Sequence, residues 1–248
     1  MADYYARGNI VCLGDAVHRD PLSNVLGSNT CVQDAYSLAW KAKLVMQDLA
    51  SPALLESYSH ERRPIGARAV ERVNQGYRDH IAISKHLGLL ESTVEGRMDK
   101  MNAFKAARAE GAQKREELTG LMQLIVRSYN GLGIKINRRY ESSAIYLNGE
   151  INAGRMPPAW PENAVIHHSP TTFPGHRLPH AWLNLSTPTH ATVSTLDFAG
   201  GGSFCLFTGI GGDRWIEAAS KVRHQLGLEL KTFTVGWGQK WLDIYRIW

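Results

Sequence analysis

GDAVHRDPLSNVLGSNTCVQDAYSLAWKAK, residues 14 to 43, is the stretch whose reading decides the fold. Ahead of it, Asn9-Ile10-Val11-Cys12-Leu13 is a short apolar run that stops at Gly14-Asp15, as a buried strand does when it enters a loop. Parallel pairing with earlier strands is the norm for such a strand in an α/β protein, and only eight residues precede it here, so the run predicts a missing front half. Residues 19 to 27 hold Pro21, Ser23, Asn24 and Gly27 and read as a loop, after which Thr30 and Gln33 offer a capping box. Val32, Ala35, Leu38, Ala39, Ala42 and Val45 then recur at helical spacing, which predicts a helix over about 29 to 49.

Put together, these pieces describe a binding site. A strand delivers Gly14 and Asp15 to a sheet's carboxyl edge, where Asp15 is placed to accept a hydrogen bond from a ligand hydroxyl. The loop then carries backbone amides round to a helix start, whose unpaired N–H groups and dipole attract partial negative charge. A polyhydroxylated, partly anionic ligand matches that arrangement. His18, with a reference pKa of about 6.5, is the candidate general acid or base, and a hydrogen-bond anchor is its plainer role. Arg19, Asp20 and Asp34 are weaker candidates.

Outward from this stretch the chain reads as helix first and sheet later. A helical segment runs from Ala53 to about Leu87, with Pro64 marking a break or a new first turn. Residues 91 to 127, rich in Ala, Glu, Lys, Arg and Met, also read helical and end at Gly131 and Gly133. From Ser142 the texture changes to short β-like runs, and Pro157, Pro158 and Pro161 make a plausible linker. Strands are predicted at 165–168, 181–185, 191–196, 203–208 and 230–235, with a helix over 213–226. The reading is α/β (α+β): a mostly helical part, 1–156, then a small α/β domain, 157–248.

Composition narrows the function classes. The chain has 248 residues, 44% of them hydrophobic and 21% charged, which suits a globular protein with a substantial core. No run of about 18 apolar residues and no signal peptide are visible, so a soluble, cytoplasmic protein without a membrane partner is expected. Cys12, Cys31 and Cys205 are too few and too scattered for a disulfide framework. The net charge of +5 is dispersed, which argues against nucleic acid as a partner. His167, His168, His176 and His180 lie in Pro- and Gly-rich surroundings with no i, i+4 face, so no metal site is assigned. Thr208-Gly-Ile-Gly-Gly-Asp213 imitates a phosphate loop, but Arg214 occupies the place of a third glycine, and a tight turn into a helix is the better reading. The tryptophans read as core or interface residues.

The 14–43 stretch resembles the second flavin motif of the group A flavoprotein monooxygenases, the phenol and 2,4-dichlorophenol hydroxylases in particular, whose pattern is close to GDAxHxxPPxxGxGxNxxxQDAxNLAWKLA. The resemblance continues through LLESYSHERRPIGARAV (54–70), NRRYESSAIY (137–146), SPTTFPGHRLPHAWL (169–183), TGIGGDRW (208–215) and DIYRIW (243–248). It implies that Asp15, next to Gly14, binds the ribityl chain of FAD. It further implies that the loop from Pro21 through Val25, Leu26, Gly27, Ser28 and Asn29 approaches the isoalloxazine ring. NAD(P)H as electron donor, an aromatic substrate, and a C-terminal thioredoxin-like domain used for dimerisation are implied in the same way.

The chain also departs from the family pattern. It contains no early GxGxxG to seat the adenosine half of FAD and no DG motif, and the resemblance implies that the thioredoxin-like domain continues past Trp248. Val25 replaces a glycine, and its Cβ narrows the space for the flavin edge; Asp20 and Leu22 stand where His or Pro is usual. Three functions are therefore open at this point: a truncated aromatic monooxygenase-like protein, a flavin-independent cyclase or isomerase of secondary metabolism, and a non-catalytic module that pairs with itself or with another chain.

Overall fold

The computed structural model describes residues 1–19, 26–187 and 191–244. Pro21 and Val25 of the expected cofactor loop, with Asp20 and Leu22, lie outside the described residues, as does Trp248. The chain divides into two units. One comprises Met1–Ser37, Ser57–Ser142 and Ala159–Ser169; the other comprises Leu38–Glu56, Ser143–Pro158 and Pro170–Trp248.

In the first unit the opening strand is short and differently paired from expectation. β1 (Ala6–Arg7) and β2 (Ile10–Val11) form an antiparallel two-stranded ribbon in which Ala6 faces Val11 and Arg7 faces Ile10. Gly8, at φ 57°, makes the tight reversal between them without a Cβ penalty. Ile10 is exposed, so the apolar run does not mark a buried parallel strand here. A single 3-10 turn follows at Gly14–Ala16.

Helix α1 (Gly27–Met46) starts two residues earlier than the periodicity predicts. Thr30 is consequently inside the first turn instead of at its cap, and its hydroxyl donates to the Leu26 carbonyl at 2.8 Å. Helix α2 (Ala53–His86) passes through Pro64 unbroken. Tyr58, Arg62, Ile65, Ala69, Val73 and Gly76 are all buried and recur every three or four residues on both sides of the proline. One continuous packed face outweighs the loss of a single main-chain hydrogen bond.

The predicted 91–127 helix is two helices, α3 (Val94–Lys105) and α4 (Ala109–Tyr129). Thr93 caps α3 by accepting from the Gly96 amide at 3.1 Å. Ala106 ends it in an extended conformation, and the Arg115 guanidinium on α4 donates to the Phe104 and Ala106 carbonyls left open there. Short α5 (Leu132–Ile136) follows Gly131. The 165–168 run is a turn, not a strand: the Ile134 and Gly133 amides donate to the Val165 and Ile166 carbonyls, and Asn137 Nδ2 donates to the Ala164 and His167 carbonyls.

The second unit holds α6 (Asn148–Asn152) and the mixed sheet region. β3 (Trp182–Leu185) is flanked antiparallel by β4 (Val193–Ser194) and by β7 (Trp241–Asp243), a strand the periodicity does not reveal. α7 (Thr195–Phe198) begins on a full capping box: Ser194 accepts from the Leu196 amide, and Asp197 accepts from the Ser194 amide at 2.9 Å. β5 (Phe204–Thr208) and β6 (Leu230–Thr234) pair in parallel, connected by α8 (Asp213–Leu226), the strand, helix, strand unit expected from the sequence. Gly211, at φ 80°, and Gly212 make the turn into α8.

The core of this unit is Ala181, Leu183 and Val235 with Phe198, Phe207 and Trp241 packed on them. Phe198 stacks on Phe233 with ring centroids 4.2 Å apart. Trp241 belongs to this core, while Trp215 and Trp237 are exposed. Among the described residues no helix is long and apolar enough to cross a membrane.

Candidate functional site

The first unit folds residues 14, 18, 34 and 62 onto one another around a buried carboxylate. Asp34, in the third turn of α1, is fully buried and accepts three hydrogen bonds. His18 Nε2 donates to its Oδ2 at 2.6 Å, Arg62 Nε donates to its Oδ1 at 2.7 Å, and the Gly14 amide donates to Oδ2 at 3.2 Å. His18 and Arg62 are buried too. Burial works against the charge of Asp34, but the hydrogen bond from His18 and the charge of Arg62 outweigh it, so the carboxyl is held below its ordinary pKa.

Arg62 is satisfied on all sides. Besides Asp34, its guanidinium donates to the Tyr140 hydroxyl at 3.0 Å and to the Thr30 carbonyl at 3.4 Å. Burial opposes its charge, yet Tyr140 and Asp34 more than compensate and raise its pKa. Removing either charge of such a pair strands the other in a buried site.

The Gly14–Ala16 turn is therefore pinned from below. Gly14 is buried with φ 60°, and a Cβ there would stand 3.0 Å from Cys31 Sγ on α1, so the turn needs glycine for both conformation and space. Asp15, the next residue, is exposed, and Cys31 Sγ donates weakly to its Oδ1 at 3.7 Å. Burial, then the Asp15 and Asp34 carboxylates, push the Cys31 thiol up. Leu26 is buried, Gly27 opens α1, and Ser28 and Asn29 are exposed on its first turn.

Gly14, Asp15 and the α1 start are thus drawn together by contacts between the turn and α1. His18 lies beneath that turn, with one ring nitrogen on Asp34; its Nδ1 is buried with no hydrogen-bond partner among the described residues. Tyr5 and Gly66 line the same spot: the Tyr5 ring centroid is 6.0 Å from that of His18, and a Cβ on Gly66 would collide with Tyr5 Oη.

Arg62 and Tyr140 were not singled out by the sequence reading. They lie 28 and 106 residues from Asp34, and no local spacing ties them to it; their one sequence signal is membership of the 54–70 and 137–146 segments that carry the resemblance. The histidines 168, 176 and 180 serve local structure. Each places Nδ1 on a nearby acceptor or hydroxyl: Asn137 Oδ1 at 2.7 Å, the Phe173 carbonyl at 3.1 Å and Ser194 Oγ at 2.7 Å.

An exposed carboxylate beside the amide-rich start of a 20-residue helix, on a turn held rigid from behind, is a donor and acceptor set for a polyol joined to an electron-poor or anionic group. Comparison with known proteins agrees with that chemistry. Residues 1–73 match the FAD binding domain family. The whole chain is 39% identical to phenol 2-monooxygenase of Pseudomonas sp. (strain EST1001), of which it covers 40%. Over its whole length the chain is similar to the phenol monooxygenases.

A second relative, 2,4-dichlorophenol 6-monooxygenase of Cupriavidus pinatubonensis, is 38% identical over 98% of this chain and 40% of its own length. Among solved structures, the flavin-dependent monooxygenase PieE in complex with FAD and substrate superposes with a TM-score of 0.87 at 35% identity, covering 98% of this chain and 41% of that one. The chain spans about 40% of the length of the curated relatives it matches.

Proposed function

We propose that this chain supplies the flavin-facing turn of an FAD-dependent aromatic monooxygenase. The observation that carries the proposal is the conjunction of Asp15, exposed on a glycine turn, with the start of α1, in a chain whose full length aligns with phenol monooxygenases. In this reading Asp15 accepts hydrogen bonds from ribityl hydroxyls, and Pro21, Val25, Leu26, Gly27, Ser28 and Asn29 with Gly14 shape the ring side of the site. The residues present fit the group: the first-turn amides of α1 offer donors, and Ser28 and Asn29 leave the surface open.

FAD, when bound, supplies the electron transfer and oxygen chemistry, with NAD(P)H as reductant and an aromatic compound as substrate. The protein's own contribution here is positional. Asp34 holds the Gly14 amide, so the ribityl-facing carboxylate next to it has a fixed origin. His18 acts from beneath the turn as a positioning residue through Asp34, and a proton role for it rests on its buried Nδ1. A division into a part ending at 156 and a thioredoxin-like part from 157 that mediates homodimerisation belongs to the same proposal. The comparisons do not favour the flavin-independent enzyme or the non-catalytic module.

The test is a fluorescence titration of FAD and of riboflavin against wild type and Asp15→Ala. We expect weak, saturable binding with similar constants for the two ligands, because the sequence contains no GxGxxG for the adenosine half, and about tenfold weaker binding in Asp15→Ala. Purification with stoichiometric yellow flavin would refute the weak-binding part. Unchanged affinity in Asp15→Ala would refute the role of Asp15.

A further inference from the structure

Away from the flavin-facing turn, the first unit forms an open cavity of about 330 Å³ lined by α2, α5 and the 164–165 turn. One wall is α2, which presents Arg68, Arg72 and Arg78 against a single acid, Glu71. The facing wall is mostly apolar, Gly133, Ile134, Ala164 and Val165, with Asn137 as its polar member.

The three guanidiniums are not equally neutralised. Arg72 is paired with Asp79 at 3.3 Å. Arg78 donates to the neutral Gln75 Oε1, at 2.7 and 3.1 Å, and to no carboxylate among the described residues. Arg68 donates to the Asn137 carbonyl at 3.3 Å and lies 5.2 Å above the Trp160 ring, again without a carboxylate among the described residues. Arg139 stands over the same ring at 5.3 Å, and its own charge is met by Glu141 at 2.6 Å. Arg68 is thus a half-buried cation fixed in place by an indole and a carbonyl, next to a second cation. Burial first, and the charge of Arg139 second, pull its pKa down, the mark of a cation whose surroundings hold too little negative charge.

We propose that this cavity binds a small organic anion, a carboxylate carried on an apolar or aromatic body, with the carboxylate on Arg68, the body against Ile134, Ala164 and Val165, and Arg78 adding positive charge farther along the same wall. Each wall selects one half of such a molecule. A guanidinium fork pairs with two carboxylate oxygens at once, and the partial burial strengthens that bond over its value in water. A bare inorganic anion leaves the apolar wall unfilled, and a neutral aromatic leaves the two cations unmet. The proposal is independent of the flavin reading, since Gly14, Asp15 and the α1 start take no part in the cavity.

Isothermal titration of the whole chain with benzoate, benzyl alcohol and inorganic phosphate tests it. The expected result is one saturable benzoate site, with benzyl alcohol and phosphate each at least about tenfold weaker, and a loss of about tenfold or more in Arg68→Gln that Arg68→Lys partly restores. Arg78→Gln, a change at an exposed position, is expected to weaken benzoate by a smaller factor, with an unchanged circular dichroism spectrum as the check on folding. No saturable benzoate binding, phosphate or benzyl alcohol binding as tightly as benzoate, or full benzoate affinity in both glutamine variants overturns the proposal.

Discussion

Replacing Asp34 with alanine is the sharpest perturbation of the pinned turn. The substitution removes the acceptor of three hydrogen bonds, from His18 at 2.6 Å, Arg62 at 2.7 Å and the Gly14 amide at 3.2 Å. It leaves the Arg62 guanidinium fully buried with only the Tyr140 hydroxyl, the Thr30 carbonyl and Gln33 around it. Breaking a buried ion pair from one side costs about 3–5 kcal/mol. At about 2–4 °C per kcal/mol for a chain of this size, the melting temperature of the helical unit should fall by about 6–20 °C.

The pH dependence has a definite sign. The folded pKa of Asp34 is below its ordinary value, so its contribution is fully present above about pH 3.9 and is lost as pH falls through the depressed folded value. The gap between wild type and Asp34→Ala should therefore be constant near neutrality and close as pH drops below about 4. Thermal melts followed by far-UV circular dichroism from pH 7 to pH 3 measure both effects. A neutral-pH loss under about 1 kcal/mol, or a gap that widens on acidification, would show that the network is not what holds the turn.

Three further substitutions probe neighbouring parts of the account. Gly66→Ala places a methyl group against Tyr5 Oη and 3.0 Å from His18 Cδ2, and should destabilise by about 1–3 kcal/mol in denaturant titrations. Asp15→Asn removes one of the two carboxylates that raise the Cys31 thiol, so alkylation of Cys31 at pH 8, followed by mass spectrometry, should become faster. Ser194→Ala deletes the α7 cap and the partner of His180 Nδ1, and should lower the stability of the second unit by about 1 kcal/mol, read from its tryptophan signal.

The parts of the fold that were legible in the sequence are those with a local physical signature. The 3.6-residue apolar period set out α1, and short β-like runs between prolines and glycines set out β3, β5 and β6. The Ile10–Val11 pairing was not legible, because an apolar run of five is the same in a buried parallel strand and in an exposed hairpin; the Gly8 reversal decides between them. Pro64 reads as a helix break in isolation and is overruled by the buried face that continues past it. The α3–α4 break has no glycine or proline within residues 106–108; it depends on Gly111, where a Cβ would collide with the Ala106 carbonyl, and on Arg115 reaching back from the next helix.

For the site the division is similar. Gly14, Asp15 and the α1 start form a contiguous motif and could be read directly. The Asp34, Arg62 and Tyr140 chain joins three distant segments, and only folding brings it together. His18 shows the limit of reading a residue by type: its titratable ring suggests proton transfer, while the structure gives one of its nitrogens to a buried carboxylate.

The central claim is that the Gly14–Asp15 turn and the first turn of α1 form one flavin-facing surface. Amide chemical-shift mapping of the isotopically labelled chain during riboflavin addition tests this most directly. The account predicts saturable shifts concentrated at residues 14–19 and 26–31, absent in Asp15→Ala. Shifts confined to the arginine-lined cavity of α2 or to residues 170–244, with the turn silent, would contradict it.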